Sequence, residues 1–202
     1  MLMGVTGKPA ARPRPAGPRP EHTSLLPLDL WIPDAALLRG VPDHVGDWLT
    51  EPGLLTARVR AVSGRPCRLR VLDQRLDFLT VDQQAELEVP AGTCFVREIA
   101  LCAGSEPWVY AQTVVPDATL ELHPWLAELG ETPLGETLAQ VGGVEHGPLE
   151  FATLPAMHPL AAAALKDAAD EPDFLWARRR WVAIRGRRLL VHEVFLPGIE
   201  EC

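Results

Sequence analysis

The 202-residue sequence holds only four cysteines, and they form neither a C-x-x-C pair nor a Cys/His spacing suited to zinc. Cys67, Cys94, Cys102 and Cys202 are therefore expected to be reduced thiols, not a disulfide framework or a metal site. No apolar run approaches the ~20 residues that a membrane helix needs, so no span is expected. No apolar segment of the signal-peptide kind follows the basic N-terminal residues, which points to a cytoplasmic chain. A glycine-rich phosphate loop, a Walker motif, G-x-S-x-G and H-E-x-x-H are all missing. Internal repeats are missing too, and a formal net charge of −8 disfavours general nucleic-acid binding.

What is present suits one domain. A core of this size can enclose a small-molecule pocket. The charge is unevenly spread. Residues 1–20 carry Lys8, Arg12, Arg14 and Arg19 without any acid, interleaved with Pro9, Pro13, Pro15, Pro18 and Pro20. Proline this dense blocks helix and sheet bonding, so residues 1–22 read as a disordered leader before a domain spanning 23–202.

Within that domain, Asp43 starts a helix that ends near Pro52-Gly53. Thr56–Val62 alternates like a strand, turns at Ser63-Gly64 and predicts a hairpin with Cys67–Leu72. Ala85–Val89 reads as a short strand. Cys94–Cys102 and Trp108–Val115 form the clearest hairpin, joined by a short glycine-containing loop. Helices are predicted over Leu122–Leu129, capped by Gly130, over Pro133–Val141, and over the alanine-rich Pro159–Ala169. A last hairpin pairs Trp181–Ile184 with Leu189–Leu196 across Arg185-Gly186. Strands in hairpin pairs with helices grouped between them predict an α+β fold on one antiparallel sheet, with helices on one face or end.

Two charges stand out because side chains alternate along a strand. Phe95, Arg97, Ile99 and Leu101 share one face, and so do Leu189, Val191, Glu193 and Phe195. Each face is apolar but for a single charge. Burying a charge costs several kcal/mol unless it is paired. Arg97 and Glu193 are thus either members of a structural ion pair or the polar end of a ligand pocket. Arginine suits the second role, since its fork binds a carboxylate through two parallel hydrogen bonds. His192 points to the opposite face from Glu193. His22, His44, His123, His146 and His158 fall in loops or turns and read as solvated. The basic run Arg178-Arg179-Arg180, with Arg185, Arg187 and Arg188, is either an anion-attracting rim or a charged edge hairpin; edge strands are commonly charged, which favours the latter.

Four segments, in order, resemble the chorismate–pyruvate lyase family. They are Asp47-Trp48-Leu49 with Leu55-Thr56-Ala57-Arg58, Arg97–Ala103 with Glu106-Pro107-Trp108 and Thr113-Val114-Val115-Pro116, Leu129–Gly135, and Trp176–Arg180 with Leu189–Pro197. The resemblance implies a single domain built on a six-stranded antiparallel sheet, with helical flaps over a buried ligand site. It implies elimination of pyruvate from chorismate to give 4-hydroxybenzoate for ubiquinone synthesis, by a monomer without metal or organic cofactor. Carried over by position, Arg97 would grip the ring carboxylate, helped by the backbone amides of Leu55 and Leu134, and Glu193 would face the ring hydroxyl. The chain departs from the family at Gln112, usually arginine, which would leave Arg178 or Arg179 to hold the enolpyruvyl carboxylate. It departs again at Ala177, usually glycine, and in the long segment from Ala156 to Pro172. The competing reading is a non-catalytic sensor of small aromatic acids with the same fold, although about 22 residues before the domain are too few for a winged helix.

Overall fold

The clearest alternating runs of the sequence form the middle of the sheet. The computed structural model describes residues 30–166, 168 and 172–199. The expected leader, His22 and Cys202 lie outside the described residues. β1 (Cys67–Phe78) and β2 (Thr93–Ala103) pair antiparallel, and β2 turns into β3 (Glu106–Pro116) through Gly104 at φ +68°. β4 (Val144–His146) and β5 (Glu150–Pro155) follow, and the chain ends in the hairpin of β6 (Phe174–Ile184) and β7 (Arg187–Phe195). The order across the sheet is β1-β2-β3-β7-β6-β4, with β5 also on β6, and every pairing is antiparallel.

Among the described residues the sheet thus has seven strands, not the six that the resemblance implies. β4 lies along Val182–Ile184 and β5 along Phe174–Arg179, so two short strands in series share one position beside β6. Gly147-Pro148 separates them. Pro148 has no N–H to give a ladder, and a Cβ on Gly147 would come within 2.5 Å of the Trp181 ring. This arrangement corrects the reading of the arginine run as an edge. The charged edge is β1, which carries Arg68, Arg70, Asp73, Arg75 and Asp77.

Two predicted strands are helices. Thr56–Val62 lies in α2 (Leu55–Ser63), which follows α1 (Asp43–Leu49). Leu55, Thr56 and Val59 are its buried positions, the i, i+1, i+4 spacing of a helix face, although the residue types from Ala57 to Ala61 also alternate, and Gly64 closes it at φ +61°. Ala85–Val89 is the end of α3 (Val81–Leu87) and the residues after it. That helix begins four residues earlier with a capping box between Thr80 and Gln83. α4 (Asp117–Leu122) and a 3₁₀ turn at Pro124–Ala127 replace the helix predicted over Leu122–Leu129. α5 (Leu134–Leu138) and α6 (Pro159–Ala164) are shorter than predicted.

Helices cover both faces of the sheet. Odd-numbered β2 and β3 residues such as Ile99, Leu101 and Val109 pack with Val45, Trp48, Leu49, Leu55 and Val59 of α1 and α2. On the even-numbered face, Val96, Val114 and Leu190 pack with Leu87 of α3, while Tyr110 and Val194 pack with Leu160 and Ala161 of α6. The alanine-rich segment therefore roofs the second face. No helix among the described residues is long and apolar enough to cross a membrane.

Candidate active site

Sheet register brings one face of four neighbouring strands into two rows, odd-numbered residues of β2, β3 and β7 beside even-numbered residues of β6. Arg97 of β2 pairs with Thr113 of β3, Thr113 with Val191 of β7, and Val191 with Arg180 of β6. In the adjacent row Ile99 pairs with Ala111, Ala111 with Glu193, and Glu193 with Arg178. All eight residues line one cavity of about 610 Å³. The segments Pro52–Thr56 and Pro133–Gly135 form its other side. Arg97, Glu193, Leu55 and Leu134, separated by up to 138 positions in the chain, thus border a single space.

Arg97 is 2% exposed and has no carboxylate within salt-bridge distance among the described residues. Its Nη2 donates to the carbonyls of Gly130 (2.7 Å) and Thr132 (3.1 Å). Its Nε is buried without an acceptor. Burial alone pulls its pKa down. A guanidinium so placed retains donors for an anion that none of the described residues supplies.

Glu193 and Arg178 make the ion pair that the residue pattern left open between structure and pocket. Arg178 Nε donates to Glu193 at 2.5 Å, and the Arg178 side chain is 2% exposed. Arg178 Nη1 also donates to the carbonyls of Trp48, Leu49 and Glu51, at 3.4, 3.1 and 2.7 Å. Two of those belong to the last turn of α1, whose carbonyls have no intrahelical donor, and a cation suits that end of a helix.

Each flap is tied to the sheet by an arginine. Arg178 holds the chain entering α2 through Glu51, and Arg97 holds the loop before α5 through Gly130 and Thr132. The flaps also touch each other. Thr56 Oγ1 donates to Glu136 (3.1 Å), and a Cβ on Gly135 would meet Leu54 Cδ2 at 2.7 Å. Leu55 and Leu134 are the first residues of α2 and α5, and neither helix has a side-chain cap. A first-residue N–H has no intrahelical acceptor.

The remaining candidates separate by parity. Arg179 points to the other face, 6% exposed, where it pairs with Glu150 (2.7 Å), Asp82 (2.6 Å) and Glu86 (3.4 Å) and lies over Trp31. Arg178 and Arg179 are thus buried on opposite sides of β6 and Arg180 is partly buried, whereas Arg185 and Arg187 at the hairpin turn are exposed. Gln112 lies on that second face too. Its amide donates to Glu98 (3.2 Å), and it lines a different cavity together with Glu98 and His192. Its difference from the family's arginine therefore leaves the first cavity unchanged. Ala177 is fully buried with Tyr110 and Val194 on the same second face, and it is not among the residues with positive φ.

His192 lies on the face opposite Glu193, as alternation predicts, and of the histidines expected to be solvated in loops His123 is buried while His146 is exposed at the end of β4. His192 is buried, and its ring pKa is pushed down to about 3 by burial, then by Arg179 and His158. His123 is buried against the Ile184 carbonyl. His146 lines the first cavity at the end of β4, with its pKa lowered by burial and by Arg180. Arg180 and His146 are the cavity residues that the sequence pattern missed. Strand alternation through 178–180 would have separated Arg180 from Arg179. Burial pushes the thiols of Cys67, Cys94 and Cys102 up, which opposes a nucleophilic role. Among the described residues, no group of three His, Cys, Asp or Glu stands together to hold a metal ion.

Relatives agree with this architecture. A probable chorismate pyruvate-lyase of Halorhodospira halophila is 38% identical over 184 residues, covering 89% of this chain and 97% of that one. A protein of the same name from Pseudomonas aeruginosa is 35% identical over 172 residues, covering 84% and 92%. Among solved structures, the effector domain of PhnF from Mycobacterium smegmatis aligns with a TM-score of 0.52 at 15% identity, covering 72% of this chain and 90% of that one. The C-terminal domain of the histidine utilization repressor from Pseudomonas syringae aligns with a TM-score of 0.52 at 14% identity, covering 65% and 92%. These two likenesses concern the fold. The family model described as chorismate lyase matches residues 26–200, and with the relatives above it establishes that the chain belongs to the chorismate lyase family.

Proposed function

We propose that this chain eliminates pyruvate from chorismate and releases 4-hydroxybenzoate, a precursor for ubiquinone synthesis. The observation that carries the reading is Arg97, a buried guanidinium at a cavity wall whose Nε lacks an acceptor and which has no carboxylate partner among the described residues. The ring carboxylate of chorismate is the anion it would take, with the Leu55 and Leu134 amides as further donors. Glu193, held by Arg178, would face the hydroxyl-bearing carbon. That carbon loses its hydrogen as a proton, the C–H electron pair becomes the third double bond of the ring as the neighbouring carbon–oxygen bond breaks, and the departing enolpyruvate takes up one proton at its methylene carbon to become pyruvate. The product ring is aromatic, so the driving force resides in the substrate. The protein's part is to hold one reactive conformer and to place charges around it before the bond breaks.

Purified chain incubated with chorismate is expected to yield 4-hydroxybenzoate and pyruvate in equal amounts above the spontaneous background. Saturable binding of 4-hydroxybenzoate without turnover would instead support the sensor reading, which the fold of the regulator domains also accommodates. Because Gln112 belongs to the opposite face, Gln112→Arg is expected to change kcat/KM by less than about twofold, the range of substitutions that touch no buried partner of the site. A large gain in activity would show that the family's arginine acts on the cavity after all.

A further inference from the structure

We propose that Arg180 binds the second carboxylate of chorismate, the one on the enolpyruvyl side chain, and so distinguishes the dianionic substrate from the monoanionic product. This deepens the lyase reading and rests on it. Three arginines line the cavity, Arg97, Arg178 and Arg180, against one carboxylate, Glu193. Glu193 is taken by Arg178 Nε at 2.5 Å, and Arg178 Nη1 donates to backbone carbonyls. Arg97 and Arg180 therefore remain as two positive charges without an acidic partner. Arg180 forms no salt bridge or side-chain hydrogen bond among the described residues. Burial lowers its pKa, Glu193 raises it and Arg178 lowers it again, the balance of a cation held partly out of water beside a carboxylate already in use.

The positions of the two free cations match a ligand charged at both ends. Arg97 and Arg180 terminate the same row, with Thr113 and Val191 between them. Three strand spacings separate their backbones by about 14 Å, and both long side chains border the cavity from those ends. A small ring with one carboxylate held at Arg97 leaves its second carboxylate near Arg180. The charge of Arg178 is already matched by Glu193 and its head is tethered to the end of α1, and Arg179 faces away. When the carbon–oxygen bond breaks, pyruvate takes the second carboxylate with it. Arg180 then loses its anion, while 4-hydroxybenzoate keeps only the contacts at the Arg97 end.

The test compares two ligands on the full chain carrying R180Q or R180K. Losing a charge-assisted, bidentate contact corresponds to about 10- to 100-fold in affinity. R180Q is therefore expected to raise KM for chorismate by that factor, while the Kd for 4-hydroxybenzoate moves by less than about threefold. Retained binding of 4-hydroxybenzoate also reports that the cavity is folded. R180K keeps the charge but not the two-pronged contact and is expected to lose less chorismate affinity than R180Q. Equal weakening of both ligands, or no change in either, overturns the assignment while leaving the lyase reading intact. If the unaltered chain neither binds nor converts chorismate, the lyase reading itself fails, and the assignment with it.

Discussion

Arg97→Ala is expected to lower kcat/KM for chorismate by about 10²- to 10⁴-fold, the range seen when one partner of a buried charged contact is removed. The substrate's ring carboxylate would enter a space from which water is largely displaced and find no cation at the β2 end. The substitution also frees the Gly130 and Thr132 carbonyls, and with them the loop that presents Leu134. Stability should respond far less than activity. Arg97 is desolvated without an acidic partner, so removing it relieves a cost as well as losing two hydrogen bonds. The measurement that separates the two effects is thermal unfolding with and without 4-hydroxybenzoate. Ligand at about 100 times Kd stabilises a protein by ~2.7 kcal/mol, which raises Tm by roughly 5–10 °C in a chain of this length. The unaltered chain is expected to show that shift and Arg97→Ala to lack it, at nearly the same unliganded Tm. A variant that keeps the shift and the kinetics would remove Arg97 from the site.

Arg97 and Glu193 were legible before any coordinates because each is a single charge interrupting an apolar alternation, and alternation survives in a strand whatever its neighbours are. Arg178 and Arg180 were hidden for the opposite reason. Three consecutive arginines erase the contrast on which alternation depends, and their division between faces follows only from the pairing of Arg178 with Glu193 across β6 and β7. Matching Gln112 to a family position says nothing about the face on which it lies. The register with Glu98 and His192 decides that, and it depends on a shift between Leu101 and Cys102 in the hairpin. Leu55 and Leu134 entered only through the family resemblance, since their relevant groups are backbone amides that leave no trace in a side-chain pattern. The first of them also fell beside the segment read as a strand. In α2 the residue types from Ala57 to Ala61 alternate while Leu55, Thr56 and Val59 keep a helical spacing, and packing against β1 and β2 selects the helix.

Arg178 is expected to carry the largest stability effect in the site. Arg178→Met keeps much of the side-chain length but leaves Glu193 as an unpaired carboxylate and withdraws the donor from Trp48, Leu49 and Glu51. Breaking a buried pair from one side costs about 3–5 kcal/mol, a large fraction of the ~5–15 kcal/mol that holds a typical domain together. In a chain of this size the loss corresponds to a fall in Tm of roughly 6–20 °C. Removing both charges is different, because an apolar pair of similar volume has no stranded ion. Arg178→Met combined with Glu193→Leu is expected to regain most of the lost Tm and to remain inactive. Part of the deficit should persist, since the carbonyls at the end of α1 still lack their donor. The double-mutant cycle therefore divides one side chain's two roles: the recovered part measures the bond to Glu193, and the unrecovered part measures the tether on the flap. Equal instability of the single and double variants would place the whole effect in the tether, and Glu193 would then owe its position to the sheet alone.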